Sequence, residues 1–200
     1  GKMIKLVVSE DKQSKDFIKE TITNYHSYVP STSSVGRRID WVVFNDDKPV
    51  GMIGIGSSVY PPPKDILRHT NLSMKEYKNV FNTFANNWRF CMREKIKNAG
   101  TQILKELRRQ APLYWKQKYN DDLNYLITFV AGGNNGAVYK ADNWSQIGET
   151  AGLPKHKSVS MKWDSKESLK EKYVKPTGED KKIIFFKKIE HNQNTNTSKS

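Results

Sequence analysis

The run from 123 to 130, which reads Leu-Asn-Tyr-Leu-Ile-Thr-Phe-Val, is the feature that most constrains how this chain can fold. β-branched and aromatic residues favour strands, so the run predicts a well-formed β-strand. It leads into Ala-Gly-Gly-Asn-Asn-Gly at 131–136, a composition typical of a turn or loop. The chain is therefore expected to build its core around a sheet, and 200 residues are enough for one domain with its own core.

Other apolar runs extend this sheet and alternate with helical patterns. Hydrophobic spacing predicts further strands at 3–8, 39–44, 50–55, 88–92 and 181–189, and helices at 10–25, 73–85, 99–109 and 139–147. This order predicts an α+β fold, with a mostly antiparallel central sheet flanked by helices, as in acetyltransferase-like (GNAT-like) domains. Residues 1–190 are expected to form one domain, and the polar segment 191–200 a disordered tail.

The charge is strongly positive and unevenly spread. The formal net charge is +13, with a sequence pI near 9.7. Between 89 and 118 only two acidic residues, Glu94 and Glu106, accompany nine basic ones: Arg89, Arg93, Lys95, Lys97, Lys105, Arg108, Arg109, Lys116 and Lys118. Such a concentration is typical of a polyanion partner, either nucleic acid or a phosphorylated cofactor. A solubilising surface is the alternative interpretation.

Several classes of protein are disfavoured by what the sequence contains. A single cysteine, Cys91, allows no internal disulfide, and four scattered histidines give no metal-site spacing, so we expect no metal and a reducing, cytoplasmic setting. No run approaches the length of a membrane span, and the first residues do not read as a signal peptide.

The start of the helix predicted from residue 99 is a candidate anion site. Exposed backbone N–H groups at a helix start attract phosphate, and a glycine there permits close approach. The candidate cofactor-binding residues are Lys97, Asn98, Ala99, Gly100 and Thr101. An ordinary helix cap explains the same residues equally well.

The segment 128–152 carries a more distinctive pattern. It contains Gly-x-x-Tyr-Lys-Ala-x-Asn-Trp at 136–144 and Gly-x-Thr-x-Gly at 148–152, with Asn-Asn-Trp-Arg-Phe at 86–90 upstream. In order and spacing these pieces resemble the Mom family of phage DNA-modification proteins, and equally the related domain of Druantia defence systems and transposon-borne genes. The resemblance covers roughly residues 20–190.

That resemblance implies a GNAT-like transferase that uses acetyl-CoA or a related cofactor and acts on DNA. Mom proteins add a carbamoylmethyl group to N6 of adenine, which protects phage genomes from restriction. The pantetheine arm of the cofactor is expected along the strands near 51–56 and 126–130.

Three polar residues are candidates for the reacting centre: His26, Tyr139 and Asp142. The resembling families carry a His-Tyr-type element near His26, and a histidine is a natural base near neutral pH. Trp144 stands where ordinary acetyltransferases place the tyrosine that protonates the departing thiolate, so Tyr139 or Asp142 would have to replace it. The alternatives are that His26 is a surface residue and that Tyr139 and Trp144 only pack a helix onto the sheet.

Four basic residues are candidate nucleic-acid contacts: Arg37 and Arg38 after a Ser/Thr-rich loop, and Arg93 and Lys95 in the basic turn. The sequence thus predicts a DNA-base-modifying transferase. An acyltransferase for a protein, RNA or small-molecule amine is the first alternative. A non-catalytic DNA-binding module of the same fold is the second.

Overall fold

A computed structural model of the chain describes residues 3–25, 36–131, 136–150 and 181–191. Its centre is one seven-stranded sheet with strand order β1-β2-β3-β4-β5-β7-β6. The strands are β1 (Ile4–Val8), β2 (Arg38–Asn45), β3 (Lys48–Ser57), β4 (Phe84–Met92), β5 (Tyr125–Ala131), β6 (Ser145–Glu149) and β7 (Lys182–Lys188). All neighbours are antiparallel except β4 and β5, so the predicted α+β class with a mostly antiparallel sheet is confirmed.

Five α-helices lie among the described residues: α1 (Lys12–Tyr25), α2 (Lys64–Thr70), α3 (Met74–Asn79), α4 (Ala99–Tyr119) and α5 (Ala137–Ala141). On α1, Ile18 and Ile22 are four apart and share one buried face, which packs against Val42, Met52 and Cys91 of the sheet. The buried stripe of α4 contributes to a separate and larger cluster. Helices therefore shield both faces of the sheet.

The connection from β4 to β5 runs through α4, as a parallel pair requires. The pairing itself is short. It joins Phe84–Asn86 to residues 125–127 and then stops, although both strands continue for several residues. The two strands therefore separate towards their carboxyl ends and leave a cleft in the middle of the sheet.

The prediction that the central helix ends at Arg109 is wrong. α4 continues to Tyr119 and contains Pro112. Ala111 and Trp115 extend the buried stripe, and the Trp115 indole donates to the Asn82 carbonyl at 2.9 Å. Proline inside a helix costs roughly 3 kcal/mol, and the burial of a further helical turn offsets that cost.

The prediction of a helix over 139–147 is also wrong, except for the first residues of that range. α5 ends at Ala141, Asn143 adopts a left-handed φ of 59°, and 145–149 form β6 beside β7. The short run Ser-Gln-Ile-Gly-Glu has no clear hydrophobic periodicity, so its secondary structure is determined by its pairing with β7.

The region 64–87 differs from the prediction, which was a single helix over 73–85. It forms α2, α3 and a short 3-10 turn, Phe81–Thr83, and β4 begins at Phe84 rather than at Trp88. Phe84 and Ala85 are fully buried because they pair with β5 at the centre of the sheet. Their place in a strand follows from this tertiary pairing and not from a local pattern.

Candidate functional site

The cleft between β4 and β5 begins where the ladder that joins these two strands ends. Beyond Asn86 and Ile127 the facing edges of these strands, 87–92 and 128–131, have no ladder partner among the described residues. Such edges present backbone N–H and C=O groups to whatever enters. An extended chain that carries its own amide groups can therefore bind there by adding between the strands.

A register shift in β4 marks the point where the cleft begins. Gly54 of β3 pairs with Arg89, whereas Gly56 pairs with Asn86, so Ile55 alone opposes two residues of β4. This extra residue is a β-bulge, which bends a strand and increases its twist. The bulge coincides with the end of the β4–β5 ladder, and so helps to turn β4 away from β5.

Asn87, inside the bulge, is buried and joins four segments of the chain. Its Nδ2 donates to the carbonyls of Gly54 at 2.8 Å and Arg89 at 3.0 Å. Its Oδ1 accepts from the Tyr139 hydroxyl at 2.6 Å, and its carbonyl accepts from Thr128 Oγ1 at 3.1 Å. The amide thus fixes the bulge and links α5 and β5 to β4 at the closed end of the cleft.

Tyr139, predicted to be catalytic, lies at this closed end. It is 7% exposed and its ring stacks on Phe185 at 5.6 Å and meets Trp144 edge-on at 4.9 Å. Because both Nδ2 bonds of Asn87 go to carbonyls, its Oδ1 is the acceptor and the tyrosine hydroxyl is the donor. Tyr139 therefore packs α5 onto the sheet and also places a hydroxyl beside the bulge.

Asp142, predicted beside the reacting centre, is buried in a different set of contacts. Its Oδ2 pairs with the Arg108 guanidinium and accepts from the Trp144 indole at 2.8 Å. Burial lowers the pKa of Arg108, and the ion pair with Asp142 compensates its charge. Asp142 and Tyr139 each contact Trp144, one through a hydrogen bond and the other through its ring.

His26, the third predicted catalytic residue, lies outside the described residues. The described residue before it, Tyr25, has its ring 5.5 Å from the Arg93 guanidinium carbon. Arg93 follows directly on β4, so α1 ends near the carboxyl end of β4, where the cleft opens.

The five predicted cofactor-binding residues divide into two groups. Lys97 and Asn98 are exposed, whereas Ala99 is buried and a Cβ on Gly100 would overlap Val138 of α5. Asn98 has a left-handed φ of 62° and makes no side-chain cap. Gly100 thus serves close packing of two helices, while the N–H groups of Gly100 and Thr101 belong to the first turn, which has no earlier helical carbonyls to bond.

The four predicted nucleic-acid contacts also differ from one another. Arg37 pairs with Asp121 at 2.7 Å and lies over Tyr119 at 4.6 Å. Arg93 donates to Thr21 Oγ1 at 2.8 Å and lies over the Phe17 ring, so it anchors α1 to the end of β4. Lys95 is exposed.

Arg38, the fourth, belongs to a polar cluster that the sequence did not reveal. Its Nε pairs with Asp40 at 2.6 Å, its guanidinium lies over Trp88 at 4.2 Å, and the Trp88 indole donates to Asp40 at 3.2 Å. A Cβ on Gly54 would overlap the Asp40 carboxylate, so the glycine makes room for it. Burial raises the pKa of Asp40, and Arg38 partly opposes that rise. The sequence signal that could have indicated this cluster is Asp40, an acidic residue within the otherwise apolar run 39–44.

Among residues 3–25, 36–131, 136–150 and 181–191, no group of three or more His, Cys, Asp or Glu side chains is arranged to hold a metal ion. Within the same part of the chain no helix combines the length and the apolar character needed to cross a membrane.

Comparison with known proteins identifies the fold. No protein-family model and no curated protein matches the sequence. Solved structures do match, among them an acetyltransferase of Bacillus subtilis in complex with CoA, with a TM-score of 0.53, 8% identity, and coverage of 95% of this chain and 100% of that one. An N-acyl amino acid synthase from uncultured soil microbes matches with a TM-score of 0.53 and 12% identity, over 94% of this chain and 91% of that one. The ribosomal-protein-S18-alanine N-acetyltransferase of Escherichia coli matches with a TM-score of 0.51 and 10% identity, over 96% of this chain and 98% of that one. The chain has the GNAT acetyltransferase fold, as the order of its elements predicts.

We expect the Tyr139–Asn87 hydrogen bond to couple α5 to the bulge energetically. Tyr139→Phe and Asn87→Ala should each reduce the free energy of unfolding by about 1–3 kcal/mol, because each leaves a buried polar partner unsatisfied. The double variant should lose less than the sum, with a coupling of roughly 0.5–3 kcal/mol. Urea denaturation of the four proteins measures this cycle, and additive losses would show that the two side chains do not interact.

The buried carboxylate of Asp40 should make stability depend on pH. Its pKa is raised in the folded state above 3.8, so the folded protein holds this proton to higher pH than the unfolded chain. Its contribution to stability is therefore fully present below pH 3.8 and declines as pH rises through the folded pKa. Denaturation of wild type and Asp40→Asn between pH 3.5 and pH 7 should show wild type losing stability relative to the variant. A difference that is constant with pH would contradict the assignment.

Proposed function

We propose that this protein is an acyl-CoA-dependent transferase whose cofactor lies in the cleft between β4 and β5, and whose acceptor is an amine of a DNA base. The observation that carries the proposal is the early end of the parallel ladder between β4 and β5, at Asn86 and Ile127. It opens the middle of a sheet that is otherwise paired through adjacent strands.

The cleft fits the pantetheine arm of coenzyme A. That arm is an extended chain with two amide groups, and the separated edges of β4 and β5 offer backbone donors and acceptors to such groups. Asn86 Oδ1, at the last ladder position, is buried and has no hydrogen-bond partner among the described residues, so it is an acceptor available to an N–H donor. The wall opposite β5 is β4 rather than the sequence-predicted strand 51–56, because β4 lies between β3 and the cleft.

The turn after β4 fits the cofactor phosphates. Lys95 and Lys97 are exposed there, directly before the first turn of α4. Ammonium groups and unbonded N–H groups at a helix start both favour anions. The solved acetyltransferase structure from Bacillus subtilis, which has the same fold, is a complex with CoA, and this adds support.

When bound, acyl-CoA supplies a carbonyl that its thioester activates towards an amine. The chain's own contribution starts with Asn87, which fixes the bulge and thereby the edge of β4. Tyr139 places a hydroxyl there, and to donate its proton to a departing thiolate it has to release Asn87 Oδ1. Asp142 acts through Arg108 and Trp144, holding the end of α5. His26 is the proposed base for the acceptor amine.

Support for a DNA acceptor comes from the resemblance to Mom proteins and from surface charge. Of the nine basic residues between 89 and 118, four form ion pairs: Arg93, Arg108, Arg109 and Lys116. Lys95, Lys97 and Lys105 are exposed and form no ion pair within the described part of the chain. They lie on α4 or just before it, beside the opening of the cleft, where DNA phosphates would contact them.

Calorimetric titration with CoA tests the cofactor site. The double variant Lys95→Glu, Lys97→Glu should bind CoA at least about tenfold more weakly, a loss of about 1.4 kcal/mol, because two attractive charges become repulsive. A matched control, Lys75→Glu with Lys78→Glu, reverses two exposed charges on α3 and should leave the affinity unchanged.

Mass spectrometry of nucleosides from plasmid DNA tests the acceptor. Cells that express the wild-type chain should yield an adenosine of increased mass, and cells that express folded Tyr139→Phe should yield much less. A folded protein that binds CoA but leaves DNA unmodified contradicts the DNA acceptor and points to another amine. A folded wild-type protein that does not bind CoA contradicts the whole proposal.

A further inference from the structure

Asn86 and Asn87 are neighbours on β4, but their side chains are used in opposite ways. Asn87 has its Nδ2 bonded to two carbonyls and its Oδ1 bonded to the Tyr139 hydroxyl. Asn86 Oδ1 is also buried, yet it has no hydrogen-bond partner in the part of the chain that the structure describes. An unbonded buried oxygen costs free energy, and asparagine is disfavoured in strands. Folding alone therefore does not explain an asparagine at position 86.

The two asparagines point to opposite faces of the sheet, because successive side chains of a strand alternate. Asn87 points to the face that α4 and α5 cover, where it meets Tyr139. Asn86 points to the other face, which carries α1, α2 and α3. The end of the β4–β5 ladder thus has a tyrosine hydroxyl on one face and the Asn86 amide oxygen on the other.

On its own face Asn86 lies between two apolar clusters and belongs to neither. Phe84, two residues before it, packs with α2 and α3, and Trp88, two residues after it, packs with α1. The ladder partners of Asn86 are Gly56 and Ile127, neither of which has a polar side-chain atom. The adjacent strands therefore supply no side-chain donor for Oδ1, whereas an N–H group of a bound molecule can.

The geometry of the cleft indicates which N–H group this is. The pantetheine amides meet the backbone edges of β4 and β5, which lie in the plane of the sheet. On the face of α4 and α5, Tyr139 stacks on Phe185 and contacts Trp144, so that side of the ladder end is closed. An acceptor amine therefore approaches from the face of α1, α2 and α3, on which Asn86 lies.

We propose that Asn86 binds the attacking amine of the acceptor and selects an uncharged, weakly basic amine, such as the exocyclic amine of a nucleobase. This inference rests on the proposed acyl transfer. The amine nitrogen forms a bond to the thioester carbon while the C–S bond breaks. The amine proton goes to His26, and the departing thiolate takes the proton of Tyr139. Positive charge develops on the nitrogen during the attack, so its N–H donates more strongly to Asn86 Oδ1.

The preference for an uncharged amine follows from the neutral amide of Asn86. A buried ammonium group would need a carboxylate to pair with its charge. Asp40 lies on the same face, but Arg38 and the Trp88 indole already engage its two oxygens. A ring-attached amine carries no charge near neutral pH, and so it reaches Asn86 Oδ1 without that cost.

Asn86→Leu tests the assignment, because leucine resembles asparagine in shape but accepts no hydrogen bond. The full-length variant should bind CoA as tightly as wild type in calorimetry, while the yield of modified adenosine from plasmid DNA should fall roughly 10- to 100-fold. Urea denaturation should give a free energy of unfolding no lower than that of wild type, since leucine removes an unbonded buried oxygen. Asn82→Leu, at an exposed asparagine just before β4, is the matched control and should change none of the three.

The possible results separate this inference from the acyl-transfer proposal. A lower free energy of unfolding in Asn86→Leu would show a structural role, and an unchanged yield of modified adenosine would exclude a role in the reaction; either result overturns the inference. Thiol release from acetyl-CoA with spermidine but not with DNA, or with neither acceptor, overturns the preference for an uncharged amine and leaves CoA binding intact. A wild-type protein that does not bind CoA contradicts the acyl-transfer proposal itself.

Discussion

The hydrogen bonds of one buried amide, Asn87, hold the centre of this structure in place. Its side chain bonds to β3, to its own strand and to α5, and its carbonyl receives a bond from β5. A buried polar group whose hydrogen-bond partners are all present favours a single arrangement of the chain. If one partner is missing, a polar atom is left buried and unbonded, which costs free energy. The bulge in β4 and the separation of β4 from β5 therefore depend on the same side chain. The proposed cofactor cleft is the space between β4 and β5. Its position is therefore set by the point at which the ladder between these two strands ends.

A second buried network connects α4 to α5, the helix that carries Tyr139. Arg108 in the middle of α4 pairs with Asp142 at the end of α5, and Trp144 links that carboxylate to the ring of Tyr139. The short helix α5, only five residues long, is thus held at its middle residue, Tyr139, and at its carboxyl end by partners distant in sequence. Its isolated stability would be negligible at that length, so tertiary contacts alone hold Tyr139 at the bulge.

Much of the sheet follows from the sequence, because strong local patterns specify it. The hairpin of β2 and β3 and the strand at 125–131 lie where alternation and β-branched residues predict them. The predictions that were wrong are those in which burial overrides local preference, as at Pro112 inside α4 and at 145–149 in β6. The network at Asn87 could not be predicted, since its partners Gly54 and Tyr139 are 33 and 52 residues away. Tyr139 was predicted as a site residue from its place in a motif, but its bond to Asn87 carries no local signal.

Hydrogen–deuterium exchange with and without CoA reports which backbone groups the ligand covers, and so tests whether CoA lies between β4 and β5. We expect slower exchange on CoA binding in peptides that span 87–98 and 127–131, where β4 and β5 have separated and α4 begins. Peptides from β1, α3 and β7 should exchange at the same rate in both states. Protection confined to β7 and α2, or CoA binding without any change in β4 and β5, would contradict the assignment of the cleft.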